Sequence, residues 1–154
     1  MSKKIIIVGI LLIILLSDGL IISKSLNKDK GNKIHLTEKY YGKTGFIEVD
    51  ENKINESETF LLFTYNNYCN LRIPCDEIFE TFTKGENISI LSITFEDFKK
   101  TKYYEEVKFA PSVMIINKGK IIAYLDANSD ADMEKYQDVS EFAKWLDKYI
   151  YFEK

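Results

Sequence analysis

The stretch "YNNYCNLRIPCDE", residues 65–77, holds both cysteines of the chain, Cys69 and Cys75, with five residues between them. Such a pair can cycle as a redox couple, brace a loop as a structural disulfide, or stand as two unrelated thiols. The spacing matches neither the common dithiol motif nor a zinc knuckle. The thiolate is the reactive form of cysteine, and a helix N-terminus or a nearby cation stabilises it. Arg72, the sole arginine, lies between the two. Pro74 stands at a plausible first helical position, with Asp76 and Glu77 in the first turn behind it. A helix running on from Asn70 would put about 9 Å of rise between the cysteines, more than the roughly 4.4–6.8 Å between Cα atoms that a disulfide tolerates. A helix starting at Pro74 leaves residues 70–73 as loop and lets the sulfurs meet. An oxidising compartment would then favour pairing. Spacing alone does not say whether the bond would cycle or brace.

Other chemistries are excluded or weakly signalled. A single histidine, His35, and two cysteines fall short of a four-ligand zinc site, and no hydrolase triad can be assembled around that histidine. No metal and no cofactor is expected. The net charge of −3, with no basic patch, argues against a nucleic-acid partner. In "DANSDADMEKYQD" (126–138), Asp126, Asn128, Asp130 and Asp132 follow calcium-loop spacing. Ala131 replaces the required glycine and Gln137 the closing glutamate, so a solvated acidic loop is the reading. Tyr40, Tyr41, Tyr103 and Tyr104 read as half-buried packing residues.

The cysteines need a scaffold, and the chain offers one from about Tyr40 onward. "GFIEV" (45–49) predicts a strand and 50–58 a polar, weakly helical connector. "TFLLFTY" (59–65) is apolar throughout, as a strand buried on both faces should be. A helix from Pro74 stopping at Gly85 follows, then a second buried strand over 87–95 and a short surface helix over 96–107. Residues 112–125 predict a hairpin around Asn117–Lys120, with Gly119 supplying positive φ. Residues 138–152 predict a helix with Val139, Phe142, Trp145, Leu146 and Tyr149 on one stripe. The alternation β-α-β-α-β-α-β-β-α implies an α/β fold, a central mixed sheet with helices on both faces.

Residues 1–24 are a separate object. A lysine pair, Lys3-Lys4, precedes the apolar run Ile5–Leu16, and the apolar character continues to Ile22, roughly 27 Å of helix at 1.5 Å per residue. An uncleaved signal anchor, a single transmembrane helix, is the leading reading. A cleaved signal peptide and a buried cytosolic helix are the alternatives. No cysteine follows the run, which excludes a lipoprotein anchor. The lysine pair favours a cytoplasmic N-terminus, so the domain at 40–154 is expected to face the extracytoplasmic side of the cell membrane. Residues 25–39 read as a polar tether.

Over roughly residues 45–152 the chain resembles the thioredoxin-like family. "FLLFTYNNYC" is similar to the strand that delivers an aromatic residue and a cysteine, here Tyr68-Cys69, to the carboxyl edge of the sheet. "VKFAPSVMIINKGK" resembles the segment with a cis-proline, here Pro111, before a hairpin. Membrane-tethered or secreted members from low-GC Gram-positive bacteria are most similar, bacteriocin-transport accessory proteins among them. The resemblance implies a thiol–disulfide oxidoreductase. Cys69 would attack and Cys75 resolve; Ala110, Pro111, Tyr68 and Arg72 would meet the substrate, an exported protein or peptide carrying thiols or disulfides. Two departures stand out. Arg72 occupies the position three after Cys69, and Phe63 replaces the buried acid that the family often carries six residues earlier. The alternative is a redox-inert adaptor that binds an exported peptide or a membrane partner.

Overall fold

The run TFLLFTY forms the central strand. In the computed structural model, which describes residues 33–66 and 74–152, β2 (Thr59–Tyr65) lies in the middle of a five-stranded sheet. The order is β1 (Gly45–Glu48), β3 (Ser89–Thr94), β2, β4 (Ser112–Asn117), β5 (Lys120–Tyr124). β1 and β2 both run parallel to β3, whereas β4 is antiparallel to β2 and to β5. Six of the seven β2 residues are buried, which a strand flanked on both edges and covered on both faces requires. The fold is thioredoxin-like, a mixed sheet covered on both faces, and it carries a cis Ala110–Pro111 peptide bond immediately before β4.

One face is covered by helix α1 (Cys75–Glu86) and the C-terminal helix, which is α4 because two short turns, α2 (Phe95–Phe98) and α3 (Asp130–Met133), intervene; α4 spans Val139–Leu146. Their contact is aromatic. Phe79 meets Phe63 of the sheet edge-on at 5.3 Å and Phe142 at 4.5 Å, and Phe82 meets Phe142 at 5.0 Å. Rings at these separations add to the area they bury. On the opposite face Phe60, Leu62, Met114 and Ile116 are fully buried, and Tyr40 covers Phe60 at 6.2 Å.

Several boundaries differ from the sequence reading, each for a local reason. Pro74 is not the first helical residue but the cap before it: its ψ of 127° is extended, and Cys75 opens α1. Gly85 does not stop that helix. Asn87 does, in the left-handed conformation (φ 53°) that asparagine tolerates, with its N–H donated to the Thr83 carbonyl. The surface helix expected over 96–107 is a single α-turn followed by a 3-10 turn at Lys102–Glu105, and it is not confined to the surface, since Phe98, Tyr103 and Val107 are buried. The connector at 50–58 carries only the 3-10 turn Glu51–Lys53. The hairpin has positive φ at Lys118 as well as at Gly119, the two-residue turn whose twist matches its strands.

The two ends of the described chain are also more structured than the pattern implies. α4 ends at Leu146, and Ile150 then pairs with Ile34 as an isolated parallel bridge. Leu36 is buried, so residues 33–39 belong to the packed unit, which begins at Lys33, and not to a tether. Hydrophobicity at alternate positions, Ile34 and Leu36, is too short a signal to mark this segment without its partner strand. Tyr40 and Tyr103 are buried and not half-buried. Among the described residues no helix is long and apolar enough to cross a membrane; the apolar segment at 1–24 lies outside the described residues.

Candidate functional site

The register of β2 against its neighbours builds the site. Thr64 pairs with Ser112 in the antiparallel ladder, so two residues further along both chains residue 66 comes opposite residue 110, on the same face. There the Asn66 side-chain amide donates to the Ala110 carbonyl at 3.1 Å. On the other side, Phe63 pairs with Ser92, and Ser92 with Glu48 of β1. Paired residues point to the same face of a sheet, so Phe63, Ser92 and Glu48 face the same way as Phe46, two residues before Glu48. α1 begins over this face, at the carboxyl end of β2.

The result is a cleft of about 460 Å³, in the usual range for ligand sites, lined by Phe46, Glu48, Phe63, Tyr65, Asn66, Pro74, Cys75, Asp76, Ser92 and Pro111. Its floor is aromatic: Phe46 and Phe63 stand 5.4 Å apart and Phe63 and Tyr65 5.9 Å. Cys75, the first residue of α1, is 3% exposed. Glu48, Pro74 and Asp76 are exposed at the mouth.

Pro111 is held from behind. The buried Tyr136 hydroxyl lies 2.8 Å from the Leu125 carbonyl and 3.2 Å from the Pro111 carbonyl, and the Ser112 hydroxyl also donates to Leu125, at 2.8 Å. Burial, and beyond it the charges of Cys75, Asp132 and Asp126, hold the Tyr136 phenol far above its ordinary range, so it stays a neutral donor.

Of the residues proposed from sequence, the fold brings Cys75, Ala110 and Pro111 to one sheet edge. Tyr68, Cys69 and Arg72 lie outside the described residues. The carbonyl of Ala110, a residue expected to meet the substrate, accepts from Asn66, which leaves its second lone pair. Sequence reasoning missed Asn66, Glu48, Phe46 and Tyr136. Asn66 follows directly on a recognisable strand, and Glu48 sits at period two from Phe46, so both had a faint signal. Tyr136, in an irregular acidic stretch, had none.

The acidic loop at 126–138 spends its carboxylates on its own backbone. Asp126 accepts from the Asn128 N–H, and Asp132 accepts from the Asp126 N–H while pairing with Lys135. No group of three or more histidine, cysteine or acidic residues suited to a metal occurs among the described residues.

No protein-family model matches the sequence, and no curated protein matches it. Solved structures similar to it include thioredoxins of low identity. A mutant thioredoxin from Halobacterium salinarum is 9% identical, over 75% of this chain and 97% of its own, at a TM-score of 0.47. Oxidised thioredoxin from Plasmodium falciparum is 13% identical, over 65% of this chain and 98% of its own, at 0.42. Thioredoxin from Malassezia sympodialis is 14% identical, over 71% and 93%, at 0.43.

Proposed function

We propose that this protein is a thiol–disulfide oxidoreductase of thioredoxin fold, anchored by its N-terminal segment and acting outside the cytoplasm on exported proteins or peptides. The observation that carries the reading is that Cys75 and Pro111 line one cleft at the carboxyl end of β2, with Cys75 opening a helix. A helix N-terminus stabilises a thiolate there. In the proposed cycle the Cys69 thiolate attacks a substrate disulfide, forming a mixed disulfide and releasing one substrate thiolate, which takes up a proton. Cys75, deprotonated, then attacks Cys69 Sγ. The second substrate thiol leaves reduced, and the protein retains both oxidising equivalents as a Cys69–Cys75 disulfide. Tyr68 and Arg72 flank the attacking thiol in this reading, and the Ala110–Pro111 backbone guides the substrate chain. Kinship with bacteriocin-transport accessory proteins of Gram-positive bacteria belongs to the same proposal.

Mass measurement of the full chain after alkylation, with and without prior reduction, tests the reading. The oxidised protein should gain two alkyl groups only after reduction, and Cys75→Ser should accumulate mixed disulfides that Cys69→Ser does not. Two thiols that remain reduced in protein recovered from outside the cytoplasm would reject it. Protease added to intact cells should degrade residues 33–154; protection until lysis would reverse the orientation. A redox-inert adaptor is the second reading. The packed Phe63, where the family often has an acid, favours it because no buried carboxylate stands there to serve the thiols.

A further inference from the structure

The cleft is asymmetric in a way that the chemistry of thiol exchange does not require. Its floor is a row of rings running from β1 to β2, with Phe46, Phe63 and Tyr65 in sequence. Both charged groups among its described lining residues are carboxylates, Glu48 and Asp76, and both are exposed at the mouth. Neither has an ion-pair partner among the described residues, whereas carboxylates nearby on the surface, such as Asp50, Glu51 and Glu80, are each paired with a lysine. Their positions follow from the fold. Glu48 is brought inward by period two from Phe46 and by its pairing with Ser92, and Asp76 is the second residue of α1.

We infer that this cleft selects substrates in which a lysine or arginine lies beside a bulky apolar side chain. This inference rests on the exchange reading of the same site. The apolar side chain would lie on the ring floor. The cation would reach the two carboxylates and pass over ring faces half-removed from water, where cation–π attraction adds to charge pairing. With Arg72 beside the attacking thiol in the exchange reading, two carboxylates against one guanidinium still leave the rim negative. Acidic low-molecular-weight disulfides are therefore poorer substrates than cationic ones, and the physiological class is a basic-aromatic segment of an exported polypeptide.

Two measurements on the full chain test this. Fluorescence anisotropy compares cysteine-free labelled octapeptides with a Phe-Lys or a Phe-Glu core. The lysine peptide should bind about three- to tenfold more tightly, the sum of two partly screened charge pairs. That preference should vanish in the Glu48→Gln/Asp76→Asn double variant and weaken in high salt. Equal affinities, no binding of either peptide, or a preference unchanged in the double variant would overturn the inference. Separately, the oxidation rate of the reduced protein is compared for cystamine, a dication, and oxidised glutathione, which is anionic. Cystamine should react faster, by a ratio that the double variant removes; equal rates that the variant does not change would also overturn the inference. Reaction with neither disulfide would reject the exchange reading, leaving the peptide preference to stand or fall on its own measurement.

Discussion

The side-chain amide of Asn66 donates to the carbonyl of Ala110 at 3.1 Å, tying the end of the central strand to the residue before the cis-proline. The bond continues the β2–β4 ladder by one side-chain rung beyond its last backbone pair, Thr64 with Ser112. Asn66→Ala should lower stability by about 1 kcal/mol, the usual net worth of such a bond. Asn66→Asp should cost more, because a carboxylate would then face a carbonyl. Urea denaturation checks both, read as a lower midpoint at unchanged slope. Unchanged midpoints in both variants would mean that the rung carries no energy.

Phe63 is the chain's departure from the acid that its resemblance would place there. It is 4% exposed and packed against Phe46, Tyr65 and Phe79. Phe63→Ala should cost about 3–5 kcal/mol from the lost ring and the cavity left behind. Phe63→Asp should cost at least as much, because its carboxylate would be buried without an ion-pair partner on the floor. An Asp variant as stable as the parent would show that the cleft already accommodates an acid.

Glu58 is expected to contribute to the acid limb of stability. Its carboxylate accepts from the Tyr40 hydroxyl at 2.6 Å and from the Asn55 side-chain amide at 2.8 Å, and it pairs with Lys39 at 2.8 Å. Burial, the largest single cause, would raise its pKa, but the bonds from Lys39 and Tyr40, the charge of Lys39 and the bond from Asn55 together leave the group below its usual value. A carboxyl lowered in the folded state binds protons less readily than in the unfolded chain. Its stabilisation is therefore complete above the unfolded value, about 4.3, and is lost as pH falls through the folded one. Stability measured from pH 6 down to pH 3 should fall less steeply in Glu58→Gln than in the parent; parallel curves would remove Glu58 from the acid response.

Tyr103 makes the opposite kind of prediction. Its hydroxyl is buried and has no hydrogen-bond partner among the described residues. Desolvation, with the charge of Glu56 a smaller cause, pushes its phenol up to about 12. The folded state holds this proton more tightly, so the contribution is full below the unfolded value of about 10 and lost as pH rises toward the folded one. Tyr103→Phe should stabilise the protein by about 1 kcal/mol at neutral pH, since an unmade buried bond is removed. It should also flatten the loss of stability between pH 10 and 12. A destabilised variant would reveal a partner for the hydroxyl.

What the sequence by itself determined is what short-range pattern can carry. β2 and the hairpin strands were legible because continuous or alternating apolar runs bounded by polar breaks have few other uses. The start of α1 was legible to within one residue, since Pro74 and the acids behind it act locally. The resemblance carried by the segment around Pro111 implied the cis bond. What only the tertiary structure decided is everything that depends on two distant segments meeting. Register alone brings Asn66 opposite Ala110 and carries Glu48, through Ser92, to the side of Phe63. The pairing of Ile34 with Ile150 makes residues 33–39 part of the packed unit, although their composition is that of a tether. Tyr136 reaches Pro111 across 25 residues with no periodic signal at either end. Local propensity records how a residue treats its neighbours in sequence. A cleft is defined by neighbours in space, and the sheet's pairing decides which those are.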